Sequence, residues 1–158
     1  MSKIRIENGA KMEKILKAVG PTGATIKKAG EWDLSVFITK RNKKSMIIEM
    51  CECEHFGGDL ILDPFMEIYL KTDEEGHITQ AIPRAYQSDN LYVGRTDINE
   101  RGEIFLNREL TETKRGELDR RLESWLCTID AIGYLTSPDE IIFHDNKENN
   151  KENEEEHG

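Results

Sequence analysis

The chain has 158 residues, 37% of them hydrophobic, which suits one globular domain with a single core. No apolar run approaches the roughly 20 residues that a bilayer-spanning helix needs, and the first residues lack the apolar stretch of a secretory signal. Three cysteines do not make a disulfide framework, so we expect a cytoplasmic protein. The net charge of −9 hides a division, because residues 1–44 carry +7 and residues 45–158 carry −16. The acidic part repels nucleic acid and attracts basic protein surfaces.

The N-terminal third begins with a predicted amphipathic helix. Four apolar residues share its inner face: Met12, Ile15, Leu16 and Val19. We expect Asn8 to cap its start and Gly20-Pro21 to end it. Residues 25–28 and 32–40 favour strands, and a basic turn follows them.

The rest of the chain alternates strand patterns with tight turns and then changes to a helical period. The pattern predicts a hairpin over 46–70, a strand over 77–86 and a second hairpin from 91–98 and 103–106. Because every connection is too short for a crossover helix, the sheet should be antiparallel. An apolar stripe predicts a helix over 113–132, ended by Gly133.

These elements predict an α+β domain over residues 1–143. It should have one antiparallel sheet of five to seven strands, with the N-terminal helix and a long C-terminal helix packed on one face. Residues 144–158 are acidic and almost without apolar side chains, so we expect a disordered tail.

The hairpin over 46–70 contains the chain's only chemical cluster. If Gly57-Gly58 forms a two-residue turn, Phe56 lies opposite Asp59, and a straight register assigns every side chain to a face. The predicted core face holds Ile47, Cys51, Cys53, Leu60, Leu62, Met66 and Ile68. The predicted outer face holds the carboxylates Glu52, Glu54, Asp59, Asp63 and Glu67, with Met46, Phe65 and Tyr69 as exposed apolar anchors and Ile48 and Met50 between them. Pro64 cannot donate a ladder hydrogen bond, which indicates an edge or a bulge there.

Two other groups of side chains offer binding sites, and for each the alternative is an ordinary solvated surface. The set His55, Asp59, Asp63 and Asp89 offers ligands for a divalent cation, although His55 falls on the opposite face from the carboxylates. Cysteines at alternate strand positions sit almost 7 Å apart, too far to share a zinc ion comfortably. The basic turn, Lys40, Arg41, Lys43 and Lys44, offers phosphate contacts, with Lys27 and Lys28 nearby if the first two strands pair that way.

No phosphate-binding loop, dinucleotide fingerprint, nucleophile elbow or CxxC pair occurs in the chain. The segments His55-Phe-Gly-Gly-Asp59, Asp63-Pro-Phe-Met-Glu67, Tyr86-Gln-Ser-Asp89 and Leu122-Glu-Ser-Trp125 resemble an uncharacterised domain family of small proteins carried by bacteriophages, plasmids and integrative elements. The resemblance covers roughly residues 30 to 135. It implies a mobile-element protein and supplies no activity, catalytic residue or cofactor.

Together these observations favour a non-enzymatic interaction protein that needs no cofactor. Its predicted partner is a host protein with a basic surface, such as a nuclease or a CRISPR effector, so that the chain would inhibit host defence in the manner of an anti-CRISPR protein. The alternatives are a metal-dependent enzyme or nucleotide-binding protein that uses the His and Asp set, and a DNA-transaction accessory protein that uses the basic N-terminal third. Neither a membrane nor direct nucleic-acid contact is expected for the leading hypothesis.

Overall fold

Six consecutive strands form an antiparallel meander in this computed structural model. The structure describes residues 3–88, 91–93, 97–98, 104–105 and 112–144. The elements are α1 (Lys3–Val19), β1 (Gly23–Lys27), β2 (Asp33–Asn42), β3 (Ser45–Phe56), β4 (Asp59–Thr72), β5 (Ile78–Ser88), β6 (Leu91–Val93), β7 (Asp97–Ile98), β8 (Ile104–Phe105), α2 (Glu112–Ile132) and β9 (Glu140–Phe143). Strand β9 adds to the meander beside β1, which gives the order β6-β5-β4-β3-β2-β1-β9. The predicted α+β class with one antiparallel sheet and a helix towards each end is confirmed.

Both helices pack on one face of the sheet, where the main core lies. The predicted inner faces are confirmed, because Met12 and Ile15 of α1 and Leu122 and Ile129 of α2 are buried in one cluster with strand residues. The second predicted hairpin is present in a shorter form, since β7 pairs antiparallel with β8 while residues 91–93 join the large sheet as β6. The predicted turn of that hairpin lies outside the described residues.

The start of α1 differs from the prediction. The helix begins at Lys3, so Asn8 lies inside it and does not cap it. Asn8 is buried and its Nδ2 donates to the backbone oxygen of Asp119 in α2 at 3.2 Å. One turn earlier, Arg5 Nε donates to the Asp119 carboxylate at 3.1 Å. These polar contacts join the two helices, and such a distant partner leaves no signal in the local sequence.

The last strand, β9, was not predicted because four residues without a turn signal make a weak strand pattern. It pairs with β1 in register, with Ala24 opposite Phe143. His144 contacts the fold, since its backbone N donates to the Gly23 oxygen at 2.9 Å, and the domain boundary at 143 stays a prediction. The rest of the predicted disordered tail lies outside the described residues.

Candidate protein-interaction site

The turn between β3 and β4 has the predicted two-residue form. Gly57 and Gly58 both have positive φ, at 58° and 88°, as a type I′ hairpin turn requires. Phe56 pairs with Asp59, and the ladder continues in step to Cys53 opposite Leu62. The register that the sequence predicted is therefore confirmed next to the turn.

A bulge then changes the register in the body of the hairpin. Cys51 pairs with Phe65, so the single residue Glu52 faces both Asp63 and Pro64. Pro64 has no N–H for the ladder, and a bulge is one of the few places where a sheet accepts proline. The extra residue in β4 exchanges its two faces beyond this point.

The predicted division of the hairpin into core and outer faces is wrong for this reason. Met50 pairs with Met66 and Ile48 with Ile68, and all four are fully buried in the main core beneath the helices. The side chains predicted to join Met66 and Ile68 in one core lie elsewhere: Ile47 and Cys51 are buried away from the main cluster, Cys53 is half-buried, and Leu60 and Leu62 are exposed.

The predicted apolar anchors are also corrected. Tyr69 is buried with Ile47 and Ile82 in a second, smaller cluster. Phe65 is half-buried, and Met46 is partly buried against the main core. None of the three is a fully exposed side chain of the kind that a binding surface needs.

The end of the hairpin projects beyond its neighbours in the sheet. The ladder between β2 and β3 ends at Asp33 opposite Cys53, and the ladder between β4 and β5 reaches only to Phe65. Residues 54–62 therefore form a two-stranded extension, here called the arm, about 10 Å long at roughly 3.3 Å per residue. The arm lies at one end of the sheet, and its strands have no further strand beside them within the described residues.

Large apolar side chains are concentrated on the arm. Phe56 is 50% exposed, Leu60 54%, Ile61 41% and Leu62 40%. The pairing places Phe56 and Ile61 on one face, and Leu60 and Leu62 on the other. Single exposed apolar residues are ordinary on protein surfaces, whereas two large ones side by side on each face of a short arm favour an interaction site. Sequence reasoning missed this group because the straight register assigned half of it to the core.

Two of the five predicted carboxylates belong to the arm. Glu54 and Asp59 share the face of Phe56 and Ile61, so one face combines apolar and acidic groups. Glu54 Oε1 accepts a hydrogen bond from the His55 backbone N at 3.1 Å, and Asp59 is exposed. This arrangement agrees with the pairing predicted from the turn.

The other three carboxylates are bound within the fold. Asp63 accepts a hydrogen bond from Ser88 Oγ at 2.5 Å at the base of the arm. Glu67 pairs with Arg84 at 3.3 Å, and each of these side chains is only 12% exposed. Glu52 accepts from Trp125 Nε1 at 3.0 Å beneath helix α2. The five groups thus do not form one acidic face.

The base of the arm is attached to helix α2 and the loop that follows it. Burial raises the pKa of Glu52, the Trp125 hydrogen bond opposes that rise, and the charges of Glu31 and Asp63 add to it. The Tyr134 hydroxyl, whose pKa burial also raises, donates to the Trp32 backbone oxygen. The Trp32 ring in turn contacts Phe56, with ring centroids 5.6 Å apart. The arm therefore extends from a packed support.

The described members of the predicted metal set, His55, Asp59 and Asp63, are not placed to hold a metal ion together. His55 pairs with Leu60, on the opposite face of the arm from Asp59, as the sequence indicated. Asp89 lies outside the described residues, and within the described ranges no three His, Cys, Asp or Glu side chains are placed to hold a metal ion. Burial raises the pKa of the Cys51 thiol to about 12, with Cys53 adding to the effect, so this thiol stays protonated at neutral pH.

The basic turn lies at the end of the sheet opposite the arm. Lys40, Arg41, Lys43 and Lys44 are all exposed there. The expected proximity of Lys27 and Lys28 is wrong, because β1 runs antiparallel to β2 and brings Lys27 to the arm end, where it pairs with Asp33 at 3.2 Å. The phosphate-contact hypothesis is thus left with these four exposed cations, without Lys27 and Lys28.

The geometry defines an α+β protein with a projecting, apolar and acidic arm. No protein-family model, curated protein sequence or solved structure matches the chain, and the resemblance to a mobile-element family stays a prediction. Neither helix, over the residues described, is long and apolar enough to cross a membrane.

Proposed function

We propose that the chain is a non-enzymatic interaction module that binds a basic protein surface through the arm. The observation that carries the proposal is the group of four exposed large apolar side chains on a projecting hairpin, with Glu54 and Asp59 beside two of them. The arm residues replace Phe65, Tyr69 and the outer carboxylates, which the sequence predicted as the binding surface.

The chemistry of the arm favours a partner with an apolar pocket and a cationic rim. Full burial of a large apolar side chain contributes about 1.5 to 3 kcal/mol, and these four side chains are close to half exposed, so each offers about 1 kcal/mol. Carboxylates around them attract cations and repel acidic surfaces, which raises the association rate and excludes wrong partners. The packed base keeps the arm in one orientation, which lowers the entropic cost of binding.

The narrower proposal is that the partner belongs to host defence. A nuclease or CRISPR effector presents a basic channel, and a hairpin with apolar and acidic side chains fits a competitor for such a channel. Among the described residues, no group of side chains is placed to support the metal-dependent or nucleotide-binding alternative. The DNA-accessory alternative rests only on the exposed basic turn.

The test compares capture of partners from a bacterial lysate by three versions of the chain. The arm variant carries Phe56→Ser and Ile61→Ser, and the control carries Ile6→Ser on α1, where the side chain is 44% exposed. We expect the wild-type chain and the control to retain the same basic protein and the arm variant to lose it. Unchanged capture by a folded arm variant would disprove the role of the arm. Inhibition of nucleic-acid cleavage by the captured protein then tests the narrower proposal.

A further inference from the structure

A groove lies at the end of the sheet opposite the arm. It is bounded by the C-terminal end of α1, the β2–β3 turn and the β4–β5 turn, and its volume is 450 Å³. That volume is within the range of about 300 to 1,000 Å³ typical of binding pockets. Its apolar lining comes from Leu16, Pro21, Ile38, Met46 and Ile78. Leu16, Ile38 and Met46 pack against the main core from below, so the floor belongs to the rigid part of the fold.

The charged side chains on the rim of the groove differ in whether they have a partner of opposite charge. Glu13 accepts a hydrogen bond from the Ile78 backbone N at 2.9 Å and contacts His77 at 3.3 Å and Lys17 at 3.9 Å. The Ile78 hydrogen bond is the main cause of its pKa being lower than usual. Glu75, a second carboxylate of the groove, contacts the same His77 at 3.6 Å. Arg41 donates to the Pro21 backbone oxygen at 2.7 Å, and no carboxylate of the described residues pairs with it. The groove thus combines an apolar floor with a cation that has no anionic partner among the described residues.

We propose that the arm of one copy docks into this groove of a second copy. The arm supplies what the groove lacks, because Phe56 and Ile61 can cover the apolar floor while Glu54 or Asp59 reaches Arg41. The proposal rests on the proposed function in one respect, namely that the arm is a docking element. It adds a partner for the arm and assigns a role to the groove.

An arm that docks into this groove must come from a second copy of the chain. Strand β3 begins at Ser45, beside the groove residue Met46, and ends at Phe56 on the arm. Twelve strand residues at roughly 3.3 Å each span about 36 Å, so the arm cannot reach the groove of its own chain. Each contact joins two different surfaces, and such heterologous association makes rings or open chains of molecules.

The first experiment measures self-association by sedimentation equilibrium over a range of concentrations. The groove variant carries Lys17→Glu and Arg41→Glu, and the arm variant carries Phe56→Ser and Ile61→Ser. We expect the wild-type chain to associate and each variant alone to associate at least about tenfold more weakly. An equimolar mixture of the two variants should form dimers and nothing larger, because one intact arm and one intact groove remain.

A charge exchange provides an independent test. Adding Glu54→Lys and Asp59→Lys to the groove variant should restore association, since the two charges are then reversed together. A monomeric wild-type chain, association that survives the groove substitutions, or a variant mixture that stays monomeric would each overturn the proposal. Association that survives the groove substitutions would indicate a symmetric contact elsewhere, and a variant mixture that stays monomeric would indicate another ligand for the groove. All substituted side chains are at least partly exposed, and unfolding curves confirm that the variants fold.

Failure of this inference is distinguishable from failure of the proposed function. The groove variant keeps its arm, so it should still capture the basic partner protein from a lysate. A chain that captures the partner but never self-associates refutes the docking of the arm into the groove and leaves the arm as an interaction site.

Discussion

The contact between Trp125 and Glu52 gives the sharpest test of how the arm is supported. Trp125 is 7% exposed, and its Nε1 donates to a half-buried carboxylate at 3.0 Å. A hydrogen bond to a charged group contributes about 1.5 to 3 kcal/mol, and we expect the lower end because Glu52 is only half-buried. Trp125→Phe should therefore lower the free energy of unfolding by about 1.5 kcal/mol, plus about 1 kcal/mol for lost packing.

A double-mutant cycle with Glu52→Gln separates these two contributions. The amide oxygen of glutamine still accepts from Trp125, but the bond loses its charge-assisted part, which is about half of its strength. We therefore expect a coupling free energy of about 1 kcal/mol between the two substitutions near pH 7.5. The assay is urea-induced unfolding of the wild-type chain, both single variants and the double variant.

The pH dependence supplies the refutation. The pKa of Glu52 in the fold lies above its usual 4.5, so protonation stabilises the folded state and this contribution is lost as the pH rises through the folded pKa. The cost of Trp125→Phe should be largest when Glu52 is ionised and should decrease as the pH falls to 4.5, which is the ordinary value and lies below the raised pKa of Glu52 in the fold. A coupling energy that is near zero at pH 7.5, or equal at both pH values, would show that the hydrogen bond has no energetic role.

Three further predictions concern the helices, the register and the turn. Arg5→Met should destabilise the fold by about 3 kcal/mol in urea unfolding, because it leaves the Asp119 carboxylate, which is only 7% exposed, without its cation. Adding Asp119→Asn should recover part of that loss. Full stability of the single Arg5→Met variant would contradict an energetic role for this contact. Ile48→Ala should lower the free energy of unfolding by about 3 kcal/mol and Leu60→Ala by much less, whereas the straight register predicts the reverse order. Gly58→Ala should cost about 1 kcal/mol and speed hydrogen exchange of the arm amides, since φ is 88° there; unchanged exchange would argue against the turn.

Local patterns were sufficient for most of the elements. The three-and-four spacing of apolar residues identified the inner faces of both helices, and the pair Gly57-Gly58 identified the turn and the register beside it. Such signals depend on backbone periodicity and on the φ preference of glycine, which are properties of neighbouring residues. The start of α1 was missed because the contact of Asn8 with Asp119 joins residues 111 positions apart.

The bulge is the clearest case of a feature that the sequence only suggested. Pro64 indicated an irregular position, but nothing local decides whether the ladder stops, continues or gains a residue there. That choice follows from which faces the helices cover, because a shift of one residue exchanges every side chain beyond it. As a result Ile48 and Met50 entered the core, and Leu60 and Leu62 became exposed.

The sequence by itself determined the α+β class, the antiparallel pairing of the sheet, the tight hairpin turn and the separation of a basic N-terminal segment from an acidic remainder. Each of these depends on composition or on short-range spacing. Only the tertiary structure decided that the hairpin projects as an arm with Phe56 and Ile61 exposed, and that a groove beside Arg41 lies at the opposite end of the sheet. The reason is that exposure depends on where neighbouring strands and helices end, and that is settled by packing between distant parts of the chain.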